Sequence, residues 1–254
     1  MGREMNRESV FPCVGTRTIM TTLTNYGYRL YTLNLLKSLA PFGLDKKVVV
    51  ACIDARCAAL FEQKGYHVVC LDGNLSTFCA WNTKGYDSIC YLKLTWIHRL
   101  LSLSYNVLMI DGDIVFHQNP LRDLLVWENS EVEGWIQNDS DRDENHTNLC
   151  TGYLFLRSQP NMIALYDCVS PAGCKKYETC AFDNNDQTYF NRFVKPYCNV
   201  RALPLKEYPN GKVFYENAER EGTVLVHFNW VHGHVKMAKM KEHKMWLLTE
   251  DEEC

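Results

Sequence analysis

Tyr105-Asn106-Val107-Leu108-Met109-Ile110 is an apolar run that ends on Asp111-Gly112-Asp113. It is rich in Val, Leu and Ile and alternates only weakly, the pattern of a strand buried on both faces. Such a strand needs helices on either side, which directs the chain toward an α/β layered fold. At the carboxyl end of a strand of this kind, side chains face the crevice where ligands bind. Two carboxylates one residue apart then offer hard oxygen donors, suited to Mg²⁺ or Mn²⁺ shared with a substrate's phosphates. An isolated Asp-x-Asp is a weak signal, because surface turns are rich in Asp and Gly. Its position after a buried strand gives it meaning.

Apolar and helical stretches alternate along the rest of the chain, as α/β folds require. Residues 10–24 read as a strand and then a polar turn. Residues 26–39 read as a helix, with Tyr28, Tyr31, Leu35 and Leu39 at helical spacing and Pro41-Phe42-Gly43 ending it. Strands are expected over 47–53 and 67–71, the second ending at Asp72-Gly73, with a short helix over 55–64 between them. A long helix is expected over 87–104, where Ile89, Leu92, Trp96, Leu100 and Leu103 share a face. Pro120 is expected to open a helix over 120–125. Residues 137–148 are acidic and lack apolar periodicity, so they read as a solvated loop beside the cleft. Further strands are expected over 152–156 and 224–228, and helices over 161–169, 186–193 and 236–248, the last basic and amphipathic. The 254 residues show no internal repeat and no long linker, so a single domain over 1–254 is expected.

A composition of 46% hydrophobic and 22% charged residues is that of a soluble globular protein. The formal charge of -3 gives no general attraction to nucleic acid. There is no apolar run of about 18 residues, so no membrane span is visible. The start, Met1-Gly2-Arg3-Glu4-Met5-Asn6-Arg7-Glu8, is charged and unlike a signal peptide. Asn6 stands where a myristoylation signal at Gly2 requires Ser or Thr. A complete chain of this kind is expected to be cytoplasmic. Of the 12 cysteines, Cys52, Cys70, Cys79 and Cys90 lie in apolar contexts and read as small buried thiols. Cys168, Cys174, Cys180 and Cys198 cluster more loosely, without the Cys-x-x-Cys spacing that anchors a zinc knuckle.

A second constellation follows the late strand: His227-Phe228-Asn229-Trp230-Val231-His232-Gly233-His234-Val235-Lys236. His227 can supply an imidazole to complete an Asp, Asp metal site. Gly233 permits close backbone approach to a pyrophosphate, which Lys236 can neutralise. Earlier segments belong to the same ordered series: Thr21-Thr22-Leu23-Thr24-Asn25-Tyr26-Gly27-Tyr28, Leu33-Asn34-Leu35-Leu36-Lys37-Ser38-Leu39, Asn119-Pro120-Leu121, Asn148-Leu149-Cys150-Thr151-Gly152-Tyr153-Leu154-Phe155-Leu156-Arg157-Ser158 and Asp186-Gln187. With these segments the chain resembles the nucleotide-diphospho-sugar transferase domain of the glycosyltransferase family 77 type, which shares the GT-A fold with glycogenin-like enzymes.

The resemblance implies a GT-A, Rossmann-like α/β domain with a central mixed, mostly parallel sheet flanked by helices. It implies a retaining transferase that moves galactose, xylose or arabinose from a UDP-sugar to a glycan hydroxyl, using Mn²⁺ or Mg²⁺. Asp111 and Asp113, with Gly112 between them, would engage the metal and nucleotide, and His227 would be the third protein ligand. Gly233 and Lys236 would hold the diphosphate, Lys236 also stabilising charge during reaction. Thr22, Thr24 and Tyr28 would serve the uracil and ribose, and Lys93 the nucleotide or sugar. Asp186 and Gln187 would line the sugar and acceptor side and take part in catalysis. Cys150 and Tyr153 depart from a plainer Asn-Thr-Gly-Phe pattern, which bears on sugar or acceptor fit. Trp81, Trp135 and Trp230 are the tryptophans expected near an acceptor. Many relatives are Golgi enzymes with an N-terminal anchor, so the Golgi lumen is the expected location if such an anchor has been removed. Two other functions share these features: a nucleotide-sugar-binding protein without transfer, and a sugar-phosphate nucleotidyltransferase, for which a Gly-rich basic N-terminal phosphate loop is missing.

Overall fold

The computed structural model describes residues 11–71, 73–81, 83–143, 146–180, 185–217 and 221–253. The charged start with Gly2, Asp72 at the end of the third expected strand, and Glu144 and Asn145 of the acidic loop lie outside the described residues.

The chain opens with a hairpin, β1 (Cys13–Val14) and β2 (Thr18–Thr24). A turn of 3-10 helix over Tyr26–Tyr28 leads into α1 (Arg29–Leu39), and the Asn25 side chain caps it by accepting from the Tyr28 amide. β3 (Val49–Cys52) is followed by α2 (Ala55–Gln63), capped by Asp54, and then by β4 (His67–Cys70). The long helix α3 (Lys84–Ser102) delivers the chain to β5 (Asn106–Ile110). Leu103, expected on its apolar face, lies past the last turn and is exposed.

In β5, Leu108 and Ile110 pack among side chains of α1 and α2, whereas Val107 and Met109 pack among those of α3. Burial on both faces is what the apolar run foreshadowed. Trp96 of α3 ties its layer to the sheet by donating its indole N–H to Thr21 Oγ1 at 3.0 Å.

Beyond β5 come β6 (Ile114–Phe116), α4 (Leu124–Asn129), β7 (Gly134–Asn138) and β8 (Leu149–Leu156). Pro120 does not open a helix. Asn119 Oδ1 accepts from the Leu121 amide at 2.9 Å, holding residues 119–123 in turns, so α4 begins only at Leu124. Gln137 and Asn138 are not loop residues but the end of β7, a strand paired on both sides. α5 (Pro160–Tyr166), α6 (Pro171–Glu178) and α7 (Asp186–Tyr189) follow, and α7 runs on into a π-helical segment, Phe190–Val194. β9 (Val200–Leu203), α8 (Gly211–Asn217), β10 (Leu225–His227) and α9 (Gly233–Glu242) come next, and a single helical turn, α10 (Glu250–Glu253), follows them. α9, the expected terminal helix, therefore starts and stops earlier than its sequence suggested. Lys244 adopts a left-handed conformation, φ 56°, which breaks it.

The main sheet has the order β4-β3-β2-β5-β8-β7-β9, with β1 beside β2. β4, β3, β2 and β5 run parallel, β8 is antiparallel to β5 and β7, and β9 is parallel to β7. The strand ends carrying Thr24 and Asp111 thus open on one side. A separate two-stranded ribbon pairs β6 with β10 and sets His227 opposite Ile114. Cys52, Cys79 and Cys90 are buried as expected, but Cys70, at the end of the edge strand β4, is exposed.

α9 is fastened to α1. Tyr31 donates its hydroxyl to the Gly233 carbonyl at 3.2 Å. The fully buried Asn34 donates Nδ2 to the Met245 carbonyl at 3.0 Å and accepts from the Leu247 amide at 2.5 Å. Asn34→Ala leaves a buried carbonyl and a part-buried amide unpaired and is expected to cost about 2–4 kcal/mol, read as a lower urea midpoint. A loss below about 0.5 kcal/mol, the scale of an ordinary surface change, would assign the clamp to apolar packing alone.

Candidate active site

The floor of the cleft is built where β5 ends. The Asp111 amide donates to the Gly152 carbonyl at 2.7 Å, and the Ile114 amide returns to the Asp111 carbonyl at 3.2 Å, closing a tight turn with both carboxylates on it. The Phe228 amide donates to the Asp113 carbonyl at 3.0 Å, so the ribbon brings His227 beside a carboxylate 114 positions away in sequence. Ligand atoms of Asp111, Asp113 and His227 lie within 4.8 Å of one another. Side chains larger than hydrogen are kept out of this floor. A Cβ on Gly152 would stand 2.2 Å from His227 Cε1, and one on Gly112 would stand 3.0 Å from Thr32 Oγ1.

Positive charge arrives from two helices. Lys93 of α3, buried at 5% exposure, contacts Asp111 Oδ1 at 2.7 Å and Asp186 Oδ2 at 2.8 Å. Lys236, in the first turn of α9, contacts Asp113 Oδ2, while His227 Nε2 lies 3.2 Å from Asp113 Oδ1. Burial alone would push every carboxyl here upward. At Asp113 the Lys236 charge leads the opposing influences and holds the group well below the usual carboxylate range. At Asp186 burial is outweighed by Lys93 and the Thr151 hydroxyl, which donates at 2.5 Å. Asp111 stays raised: burial dominates, Lys93 offsets only part of it, and Asp186 and Asp113 add repulsion. Burial would discharge Lys93 too, but its two carboxylates keep it protonated.

A carboxylate short of compensating charge, beside a second carboxylate and an imidazole, is a donor set that fits Mn²⁺ or Mg²⁺. Among the described residues, Asp111, Asp113 and His227 are the only such group of three or more. Cys168, Cys174, Cys180 and Cys198 do not converge in this way.

The cleft above this floor measures about 490 Å³. Thr24, Tyr28, Lys93, Gly112, Asp186, Gln187, Gly233 and Lys236 all line it. Tyr28 donates its hydroxyl to the Cys79 carbonyl at 2.6 Å and stacks on Phe78 with ring centroids 4.6 Å apart. Thr22 does not reach the cleft. It is fully buried, two residues and therefore about 7 Å back along β2 from Thr24. Cys150 lines the cleft, but Tyr153 is core and stacks on Tyr208. Trp81 and Trp230 line the cleft with exposed rings, whereas Trp135 packs on Trp127 on the far side of the sheet end.

Residues not singled out from sequence complete the site. Asp139 accepts from Gln187 Nε2, Asn229 Nδ2 and Trp230 Nε1, at 2.9, 2.9 and 3.0 Å. Gln137 faces His227, with Oε1 2.8 Å from Nδ1. The short run Gly134-Trp135-Ile136 was the available signal for their strand, but the polar residues after it masked the strand's extent.

The fold is GT-A, and solved glycosyltransferases share it. Apo GlyE of Streptococcus pneumoniae TIGR4 superposes with a TM-score of 0.56 at 13% identity, covering 92% of this chain and 60% of that one. A glycosyltransferase involved in glycosylation of the major capsid of PBCV-1 gives 0.54 at 9% identity, covering 90% of this chain and 99% of that one. Residues 43–242 match the nucleotide-diphospho-sugar transferase family, and the chain belongs to it. Among its relatives are a UDP-galactose:fucoside alpha-3-galactosyltransferase of Dictyostelium discoideum, 23% identical over 91% of this chain, and a UDP-D-xylose:L-fucose alpha-1,3-D-xylosyltransferase of Arabidopsis thaliana, 24% identical over 92%. The chain spans 43% of the first relative's length and 67% of the second's. Among the described residues, no helix is long and apolar enough to cross a membrane.

Lys93→Met strands two carboxylates beside an apolar side chain and is expected to cost about 3–5 kcal/mol at pH 7. Asp186, lowered in the wild type, contributes stability above its ordinary value of 3.8 and loses it as pH falls through the folded value. In the variant, burial is no longer opposed by Lys93, so the same carboxyl takes up its proton at higher pH and the penalty is relieved there. The gap in urea-unfolding free energy between the two proteins should therefore narrow as pH is lowered. A gap independent of pH would mean that packing, not charge, is lost.

Proposed function

We propose that the protein is a retaining glycosyltransferase, acting as one domain, that moves a sugar from a UDP-sugar to a glycan hydroxyl with Mn²⁺ or Mg²⁺. The observation that carries this reading is the convergence of Asp111, Asp113 and His227 in a family member's cleft, with Lys236 beside them. These three residues would hold the metal, which neutralises charge developing on the leaving diphosphate.

The chain's own groups do the rest. Gly233 exposes backbone at the start of α9, where the helix end and Lys236 attract phosphate. Thr24 and the stacked Tyr28 form the wall for the nucleoside. Asp186 is engaged by Lys93 and Thr151 through Oδ2, which favours a positioning and electrostatic role over attack on the sugar. Transfer then proceeds by same-face substitution. The bond from the anomeric carbon to the diphosphate oxygen breaks, the acceptor oxygen bonds to that carbon, and its proton passes to the leaving phosphate oxygen.

The acceptor side is the wall carrying Trp230, Gln187 and Asp139. Trp230 holds a backbone φ of 63°, uncommon for a bulky residue, and the residue is 52% exposed while its indole N–H is anchored on Asp139. An exposed, fixed indole is a platform for a sugar's apolar face. The named relatives use galactose and xylose donors, and fucose or a fucoside as acceptor, so these head the list to try.

UDP release from UDP-galactose, UDP-xylose and UDP-arabinose, with methyl fucoside as acceptor, should require Mn²⁺ for one donor. It should fall roughly a hundredfold or more in Asp113→Ala and His227→Ala, given the several kcal/mol a metal supplies. Folded protein that binds UDP-sugar but releases nothing with any acceptor would make this a binding protein instead. Trp230→Ala should raise the acceptor KM about tenfold, the scale of an aromatic contact, with donor KM unchanged. An equal rise in both constants would remove Trp230 from the acceptor side.

A further inference from the structure

Gln137 is fully buried, and it stands where β7 is irregular: the pairing register with β8 shifts between Ile136 and Gln137. A bulge of this kind re-aims a side chain beside a site. Here it aims Gln137 across the sheet end at His227.

The orientation of the amide follows from its neighbours. Nε2 donates to the Tyr208 carbonyl at 3.2 Å and the Pro209 carbonyl at 3.0 Å. Carbonyls only accept, so Oε1 must point the other way, where it lies 2.8 Å from His227 Nδ1. An oxygen acceptor at that distance needs a proton on Nδ1. The other group at Nδ1 is Cys150 Sγ, 3.6 Å away, a weak partner by comparison. A neutral imidazole has one N–H, and with it on Nδ1 the lone pair on Nε2 faces Asp113 Oδ1 at 3.2 Å. Two acceptors directed at one another are compatible when a proton or a metal ion is shared between them, and Nδ1–H leaves Nε2 as the position that can exchange one for the other. Asp113 acting alone would draw the proton to Nε2 and close that position.

We propose that Gln137 is a positioning residue that fixes His227 in its Nδ1–H form, so that Nε2 and Asp113 together present lone pairs to a divalent cation. The proposal rests on the metal reading above for its purpose, but the proton position can be observed without metal. Gln137 acts through His227 and is not itself among the residues that line the cleft.

The test is a two-bond proton–nitrogen correlation spectrum of the ¹⁵N-histidine-labelled protein, without metal and at a pH where the ring is neutral. His227→Gln identifies the resonance. Wild type should show Nδ1–H, and Gln137→Leu should show Nε2–H. Gln137→Glu retains an acceptor toward Nδ1 and should keep the wild-type tautomer. Thermal stability follows the lost Nε2 bonds and should fall in both variants, so a purely structural role would affect them alike. Mn²⁺ affinity, measured by calorimetry, should fall roughly 10- to 100-fold in Gln137→Leu and much less in Gln137→Glu. An Nε2–H ring in wild type, or an unchanged tautomer in folded Gln137→Leu, would overturn the proposal. If Gln137→Leu does not fold, the wild-type spectrum decides. An Nδ1–H ring in a wild-type protein without affinity for Mn²⁺ would remove the metal reading and leave the tautomer assignment standing.

Discussion

A carboxylate at the end of a strand buried on both faces must be compensated, and the carboxylates of this cleft are compensated from three directions. Lys93 rises from α3 beneath the floor, Lys236 reaches in from α9, and His227 comes across from the β6–β10 ribbon. The fold depends on these charges because an unpaired buried carboxylate costs several kcal/mol. Asp111 is the member left most in need of a cation, since it divides Lys93 with Asp186. The acidic floor is thus the electrostatic remainder of the packing, in a cleft lined by Thr24 and Tyr28 and by the exposed Trp81 and Trp230.

The glycines reinforce the same constraint sterically. Gly152 leaves room for the edge of the His227 ring, and Gly112 leaves room for Thr32 of α1. A side chain at either position would push apart elements whose register brings the ligand atoms together. The geometry of the Asp111, Asp113 and His227 group and the backbone packing are therefore one specification at this point. The positive φ of Trp230 extends the pattern outward, with strain held in place by the bonds that Asp139 collects.

Much of this was legible before the structure. β5 announced itself because all its faces are apolar, and the Asp pair followed from where β5 stops. α1, α2 and α3 had helical periodicity over enough turns to be read. The short elements were not legible: β6, β7 and β9 hold three to five residues each, and their burial comes from neighbours far away in sequence. Gln137 looked like a solvated residue because polarity reports composition, and only the carbonyls of Tyr208 and Pro209 make it a buried one. Thr22 was separated from Thr24 by a single pleat, which no motif resolves. Trp135 and Tyr153 show the same limit for aromatics, since carbohydrate platforms and core residues are chosen from the same side chains.

The clamp between α1 and the segment after α9 has a consequence for how the molecule comes into being. Its hydrogen bonds join residues 202 and 211 positions apart, Tyr31 to Gly233 and Asn34 to Met245. During synthesis from the amino end, Thr24, Tyr28 and the Asp pair emerge well before His227 and Lys236. Contacts of such long range form late. Lys93 and Thr151 are therefore in place for Asp111 and Asp186 early, whereas Asp113 waits for His227 and Lys236. Over that interval Asp113 stays in water, and the ribbon that buries it forms only once the carboxyl-terminal segment folds back.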